Sequence, residues 1–153
     1  MRLTPAAELA VRGSIVLAMH HGEGPTPLKT ICAERDLPKQ YLTKLFSSLA
    51  RVGLVTPVRG KHGGYLLAKE PADISLLDII EGIEGELALN YCTTDPPQCE
   101  KEDCPVRPVW QDLQEQMREK LSSMSLQDVL DTGADICDHD VTQQEGMPAD
   151  GAG

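Results

Sequence analysis

Between Lys39 and Arg51, Leu42, Leu45, Phe46 and Leu49 recur at i, i+3, i+4 and i+7, and Lys39, Gln40, Thr43, Lys44 and Ser47 fill the opposite side. That period predicts an amphipathic helix over 39–51, ended by Gly53. A tight turn, Asp36-Leu37-Pro38, precedes it. Before the turn a shorter helix is expected over 27–35, burying Leu28, Ile31 and Cys32, with Thr26 as its cap and Pro27 in its first position. Residues 5–20 predict another helix, opened by Thr4-Pro5 and given a mostly buried face by Leu9, Ala10, Gly13, Ile15, Val16 and Leu17. After Gly53 the pattern changes to two short β-prone runs around Arg59-Gly60-Lys61-His62-Gly63-Gly64, which reads as a β-hairpin. Ser75 with Asp78 three residues later opens a helix over 75–85. Val109, Leu113, Met117, Leu121 and Met124 make one stripe of a long helix over 105–124, and a short helix is expected at 125–131. Residues 138–153 carry no hydrophobic period and are expected to be disordered.

The length of 153 residues suits one domain with a sizeable core. With one Trp, three Tyr and one Phe, that core must be built from Leu, Ile, Val and Ala. No run of about 18 apolar residues is present, so no membrane span is expected. Glu8 and Arg12 interrupt the opening M-R-L-T-P-A-A-E-L-A-V-R, which argues against a secretory signal and for a cytoplasmic protein with reduced thiols.

The formal net charge of −10 conceals a division. Residues 1–69 hold ten Lys/Arg against four Asp/Glu, a net +6, and residues 70–153 hold four against twenty, a net −16. A basic half can mark a nucleic-acid face. Helix, tight turn, amphipathic helix and basic hairpin together outline a winged helix-turn-helix. The helix over 39–51 hides one face and shows short polar and basic groups on the other, as a groove-docked element must. Gln40, Tyr41, Thr43 and Lys44 are the candidate groove-facing residues. Arg59, Lys61 and His62 are the candidates on the wing, where glycines let the backbone approach phosphates, and Arg2 or Lys39 would serve the phosphates. A solvated helix face and an ordinary Gly-rich turn are the plainer alternatives for each residue taken singly.

The stretch Y-C-T-T-D-P-P-Q-C-E-K-E-D-C-P, residues 91–105, is a loop by its prolines and its lack of alternation. It carries Cys92-x6-Cys99-x4-Cys104. This spacing fits neither the close cysteine pairs of structural zinc sites nor a ferredoxin run. A wide loop of this kind could wrap three corners of a cubane or a smaller cluster, leaving one iron in need of another ligand. Cys32 reads as a small core residue. Cys137 with His139 could bind metal, but a tail thiol with no role is the plainer reading.

Several stretches resemble one family. They are M-R-L-T at the start, A-V-R at 10–12, Y-L-x-K-L-F at 41–46, L-x-R-x-G-L-V at 49–55 and V-R-G-x-x-G-G-Y-L-L at 58–67, followed by the three-cysteine loop and a long helix. Over about residues 1–130 the chain is similar to the bacterial iron–sulfur winged-helix regulators typified by IscR, NsrR and RirA. The resemblance implies a homodimer crossing through the long helix and binding a palindromic double-stranded DNA operator. It also implies an iron–sulfur cluster on Cys92, Cys99 and Cys104, with 4Fe–4S favoured over 2Fe–2S. The division expected is a winged helix-turn-helix over 1–85, a cluster loop over 86–104, a dimerisation helix region over 105–131 and a disordered tail over 132–153.

Two departures bear on the fourth ligand. Members like the Isc regulator place a His three residues after the third cysteine, where this chain has Arg107. The nitric-oxide sensors place an Asp at the eighth position, where this chain has Glu8, so Glu8 would reach across to the partner's cluster. A hard carboxylate beside three soft thiolates would make that corner the reactive one. Many members space the cysteines evenly, and the uneven loop here looks closer to iron-responsive ones, so nitric oxide, iron and redox state all stay open as the signal. The function expected is a non-enzymatic regulator, a repressor in most such proteins. A cluster-free thiol or zinc-dependent regulator is the alternative. An iron–sulfur carrier or redox enzyme ranks below both, since the chain has no P-loop, G-x-G-x-x-G or Ser/His/Asp pattern.

Overall fold

The computed structural model describes residues 3–101 and 103–133. Arg2, Cys137, His139 and the tail expected beyond 133 lie outside the described residues. The elements are α1 (Pro5–Met19), α2 (Leu28–Arg35), α3 (Lys39–Arg51), β1 (Val55–Val58), β2 (Gly64–Leu67), α4 (Leu76–Glu84), α5 (Arg107–Ser122) and α6 (Leu126–Asp131). Short 3-10 turns stand at Pro71–Asp73 and Tyr91–Thr93. The fold is mainly helical with one two-stranded antiparallel hairpin.

Helix α1 is the hub, packed against α2, α3, α4, α6 and β2. It is buried nearly all round, including Arg12 and Ser14, which is more than the one apolar face its sequence suggests. Thr4 accepts a hydrogen bond from the Ala7 amide and caps it. Gly13 brings α1 close to α3: a Cβ there would stand 2.9 Å from Leu42 Cδ1 and 3.0 Å from the Phe46 ring. Ile31, Leu42, Phe46, Leu49, Ile74, Ile79 and Leu126 complete the core. Burying each such side chain stabilises by roughly 1.5–3 kcal/mol.

Thr26 does not cap α2. Its backbone exchanges two hydrogen bonds with Tyr65, each 2.9 Å, so it extends the hairpin instead, and no side chain caps that helix. The long helix is also shorter than its apolar stripe, running 107–122 rather than 105–124. The chain then turns back into the core. Ser75 and Ser125 form an isolated bridge, each in a capping box with Asp78 or Asp128, and Leu126 is fully buried. The hydroxyl and amide of Ser125 both donate to Asp128, and these bonds hold its carboxyl below the usual range.

Candidate nucleic-acid interface and cysteine loop

Helix α3 is the candidate reading helix. Leu42, Leu45, Phe46 and Leu49 are buried, which points the remaining side outwards. Lys39, Gln40, Thr43 and Lys44 are all exposed. Thr43 spends its hydroxyl proton on the Lys39 carbonyl at 2.9 Å, leaving its oxygen as an acceptor towards solvent. Tyr41 is half-buried and packs against the core, so only part of its ring is presented. Asp36, in the left-handed region at φ 49°, ends α2, and the turn through Leu37 and Pro38 sets α3 against it.

The wing is fixed to this helix. Val55, Thr56, Pro57 and Val58 pair with Leu67, Leu66, Tyr65 and Gly64. The Tyr65 ring meets Phe46 edge-on, with centroids 4.9 Å apart and planes at 70°. Arg59, Lys61 and His62 stand exposed at the hairpin tip, and Gly60 there has φ 116°, a conformation that side chains resist. The structure therefore brings Lys39, Gln40, Thr43 and Lys44 onto one helix face and puts Arg59, Lys61 and His62 on the hairpin that the same helix supports.

Cys92, Cys99 and Cys104 are free thiols on the segment between α4 and α5. Cys92 is buried in the 91–93 turn, and the other two are half-buried. Cys92, Thr93 and Thr94 also line a groove of about 580 Å³ against Gln111, Gln114 and Arg118 of α5. Among the described residues no three His, Cys, Asp or Glu side chains converge as a metal site. Glu8 and the three thiols thus do not form one closed set within a single chain. The Glu8 side chain is 24% exposed and pairs with Arg12 at 3.1 Å. Cys32 is half-buried against the core, and burial raises its thiol pKa despite the nearby Lys39, which suits an inert packing residue.

The sequence reading missed the groups that hold the loop. Gln114 accepts from the Leu89 amide at 3.0 Å and donates to the Thr93 carbonyl at 3.1 Å, spanning the turn that bears Cys92. Glu81 of α4 accepts from the Leu87 amide at 2.9 Å and pairs with Arg118 of α5. Arg107 donates from Nη2 to the carbonyls of Lys101 and Cys99, at 2.6 and 3.3 Å. Its Nε is buried, with no hydrogen-bond partner among the described residues. The i, i+7, i+11 spacing of 107, 114 and 118 along α5 was the available clue.

A helix-turn-helix locked to a basic two-stranded wing is the architecture of a winged-helix transcription regulator. The comparisons with known proteins give the family. A family model described as "Rrf2: Iron-dependent Transcriptional regulator" matches residues 3–132, and the chain belongs to that family. It is 35% identical over 131 residues to the HTH-type transcriptional regulator IscR of Photorhabdus laumondii, covering 85% of this chain and 79% of that protein. The solved structure of CymR, the global cysteine regulator of B. subtilis, matches with a TM-score of 0.74 at 34% identity, covering 88% of this chain and 99% of that one. The structure of T. potens IscR matches with a TM-score of 0.72 at 34% identity, covering 88% and 89%. The chain is a DNA-binding transcription regulator. None of its described helices is long and apolar enough to cross a membrane.

Proposed function

We propose that this regulator controls its operator affinity through an iron–sulfur cluster held by Cys92, Cys99 and Cys104, with Glu8 of the partner protomer as the fourth ligand. The observation that carries the reading is three unpaired thiols on one short segment, next to a buried donor, Arg107 Nε, that lacks an acceptor among the described residues. The donor set suits the group: thiolates are the ordinary ligands of such clusters, and an anionic cluster would satisfy the orphaned N–H. When bound, the cluster supplies an iron corner open to nitric oxide, oxygen or iron loss, and 4Fe–4S is favoured over 2Fe–2S.

The chain's own residues do the rest. Glu8 must exchange Arg12 for the partner's thiol loop, which couples its state to α1. Within one chain, α4 offers a second route to DNA. Glu81 bonds the start of the cysteine segment, and the next residue, Gly82, lies against the end of α3, where an added Cβ would meet Leu49 and Val52 at 3.1 Å. Movement of α4 would therefore be felt at α3. A homodimer through α5 supplies the partner. That helix has no fully buried residue in one chain, and Val106, Val109 and Leu113 are exposed. On DNA, Gln40, Thr43, Lys44 and part of Tyr41 face the major groove. Lys39, with Arg2, and the wing residues Arg59, Lys61 and His62 hold the backbone and the neighbouring groove of a palindromic site.

The test is anaerobic purification with iron and acid-labile sulfide counted per chain, followed by titration of an operator selected from random duplexes. The expected result is about four iron and four sulfide per chain, and an operator affinity that changes at least tenfold on cluster loss. A chain that takes up neither after reconstitution, yet still binds the operator, refutes the cluster. The likeness to CymR, described as a cysteine regulator, favours a second reading in that event. The same thiols would then act as a cluster-free thiol or zinc switch.

A further inference from the structure

We infer that Arg107 and Gln114 are positioning residues of the cysteine segment. Together they would fix the backbone around all three thiols on one side of α5 and offer a charged N–H donor to whatever anionic group those thiols hold.

Seven residues apart, the two side chains project from the same side of α5. Arg107 acts on the second and third cysteines. Its amide donates to the Cys104 carbonyl at 3.1 Å, and its guanidinium bonds the carbonyls of Cys99 and Lys101. Gln114 acts on the first, bonding the Leu89 amide before the 91–93 turn and the Thr93 carbonyl at its end. Between 94 and 106 none of the described residues lies in a regular helix or strand, so the Arg107 bonds, with the Thr94 hydroxyl's contacts inside the segment, hold it in place. Holding an irregular loop in one conformation costs backbone entropy at every residue. A loop braced beforehand loses less when it closes on a ligand.

Charge adds a second effect. Three thiolates and a carboxylate make an anionic site, and Arg107 brings a cation whose Nε–H is buried with no acceptor among the described residues. A donor and a positive charge stabilise the more negative, reduced state of a cluster and raise its potential. A lysine in that position would keep the charge but carries no Nε–H, and its ammonium stands at a different place from the guanidinium Nη2 that meets both carbonyls.

The experiment uses the full-length protein and the variants Arg107→Met, Arg107→Lys and Gln114→Leu. The first readout needs no cluster: alkylation by N-ethylmaleimide of the reduced apo protein, followed cysteine by cysteine by mass spectrometry. R107M and R107K should speed labelling of Cys99 and Cys104, Q114L should speed labelling of Cys92, and Cys32 should keep its rate in all three. The second readout rests on the cluster reading above. After reconstitution, R107M and Q114L should lose iron to a chelator about tenfold faster than the unmodified protein. R107M should also titrate at a lower potential than R107K. Unchanged labelling and unchanged iron loss would overturn the inference. A wild-type chain that takes up no iron would refute the cluster reading instead, with the labelling pattern still deciding for or against the brace. Should R107M fail to fold, R107K supplies the labelling result on a charge-preserving background.

Discussion

Gly64→Ala tests whether the wing and the reading helix are one mechanical unit. Gly64 opens β2 where the chain passes the Thr26 backbone. A Cβ there would stand 2.1 Å from the Thr26 carbonyl oxygen, 2.4 Å from its carbon and 2.8 Å from Pro27 N. All three are backbone atoms, so no side chain can turn aside, and β2 must part from residue 26. That breaks both 2.9 Å bonds between Thr26 and Tyr65, at about 1 kcal/mol net each. Tyr65 then moves off Phe46, at about 0.5–1.5 kcal/mol more. The expected loss is about 2–4 kcal/mol, a large part of the roughly 5–15 kcal/mol of a typical domain. Gly60→Ala is the control. Gly60 has φ 116° and nothing within 4 Å, so it should cost only the backbone strain, about 1–2 kcal/mol. Urea unfolding followed by circular dichroism gives both values, and operator titration of the folded variants gives the effect on DNA. A G64A protein within about 0.5 kcal/mol of the unmodified chain, or less affected than G60A, would refute this account of the wing.

His20 places Nδ1 2.8 Å from Glu23 and Nε2 2.7 Å from Glu34, and because an ionised carboxylate only accepts, both bonds are made at once only by the protonated ring. The bonds from Glu23 and then Glu34 raise its pKa above 6.5, against a smaller desolvation effect. This stabilisation is complete below the unfolded value and is lost as pH rises through the raised folded one, so His20→Gln should flatten the fall in stability above about pH 6.5, measured by urea midpoints across pH. Lys44 is exposed on α3 and makes no hydrogen bond or ion pair among the described contacts. If it meets a phosphate, Lys44→Ala should lower the slope of log affinity against log salt by about one; if it reads a base, the slope should hold while preference at one position relaxes.

Much of the reading head was legible because its pattern and its packing agree. The period over 39–51 coincides with α3, and Ser75 and Asp78 close the capping box they suggested. Local rules succeed where one face of one element decides its burial. They fail at Thr26, whose type and place before proline suit a cap. Tyr65, 39 residues away, offers two backbone bonds, and the long-range pairing wins. The all-round burial of α1 was hidden for the same reason. Arg12 and Ser14 are polar by type, and only the crowding of α2, α3, α4 and α6 around that helix encloses them.

The cysteine segment shows the other limit. Three thiols at unusual spacing name a chemistry, and so they stand out in a one-dimensional string. The groups that hold them do not. Gln114 and Arg107 belong to types common on any exposed helix, and the apolar stripe of α5 draws attention to another face. Their partners are backbone carbonyls and amides, which every residue carries, so residue identity on the loop gives no hint of the pairing. It emerges only once α5 begins at Arg107 and sets 107, 114 and 118 on one side, facing the chain that leaves α4. An irregular loop has no internal ladder to satisfy its backbone, so neighbouring side chains must supply the missing partners. A cysteine segment rich in proline places that demand on whichever helix lies beside it. For this chain, the residues that set how firmly the thiols are held therefore lie on α5 and α4, outside the motif that announces them.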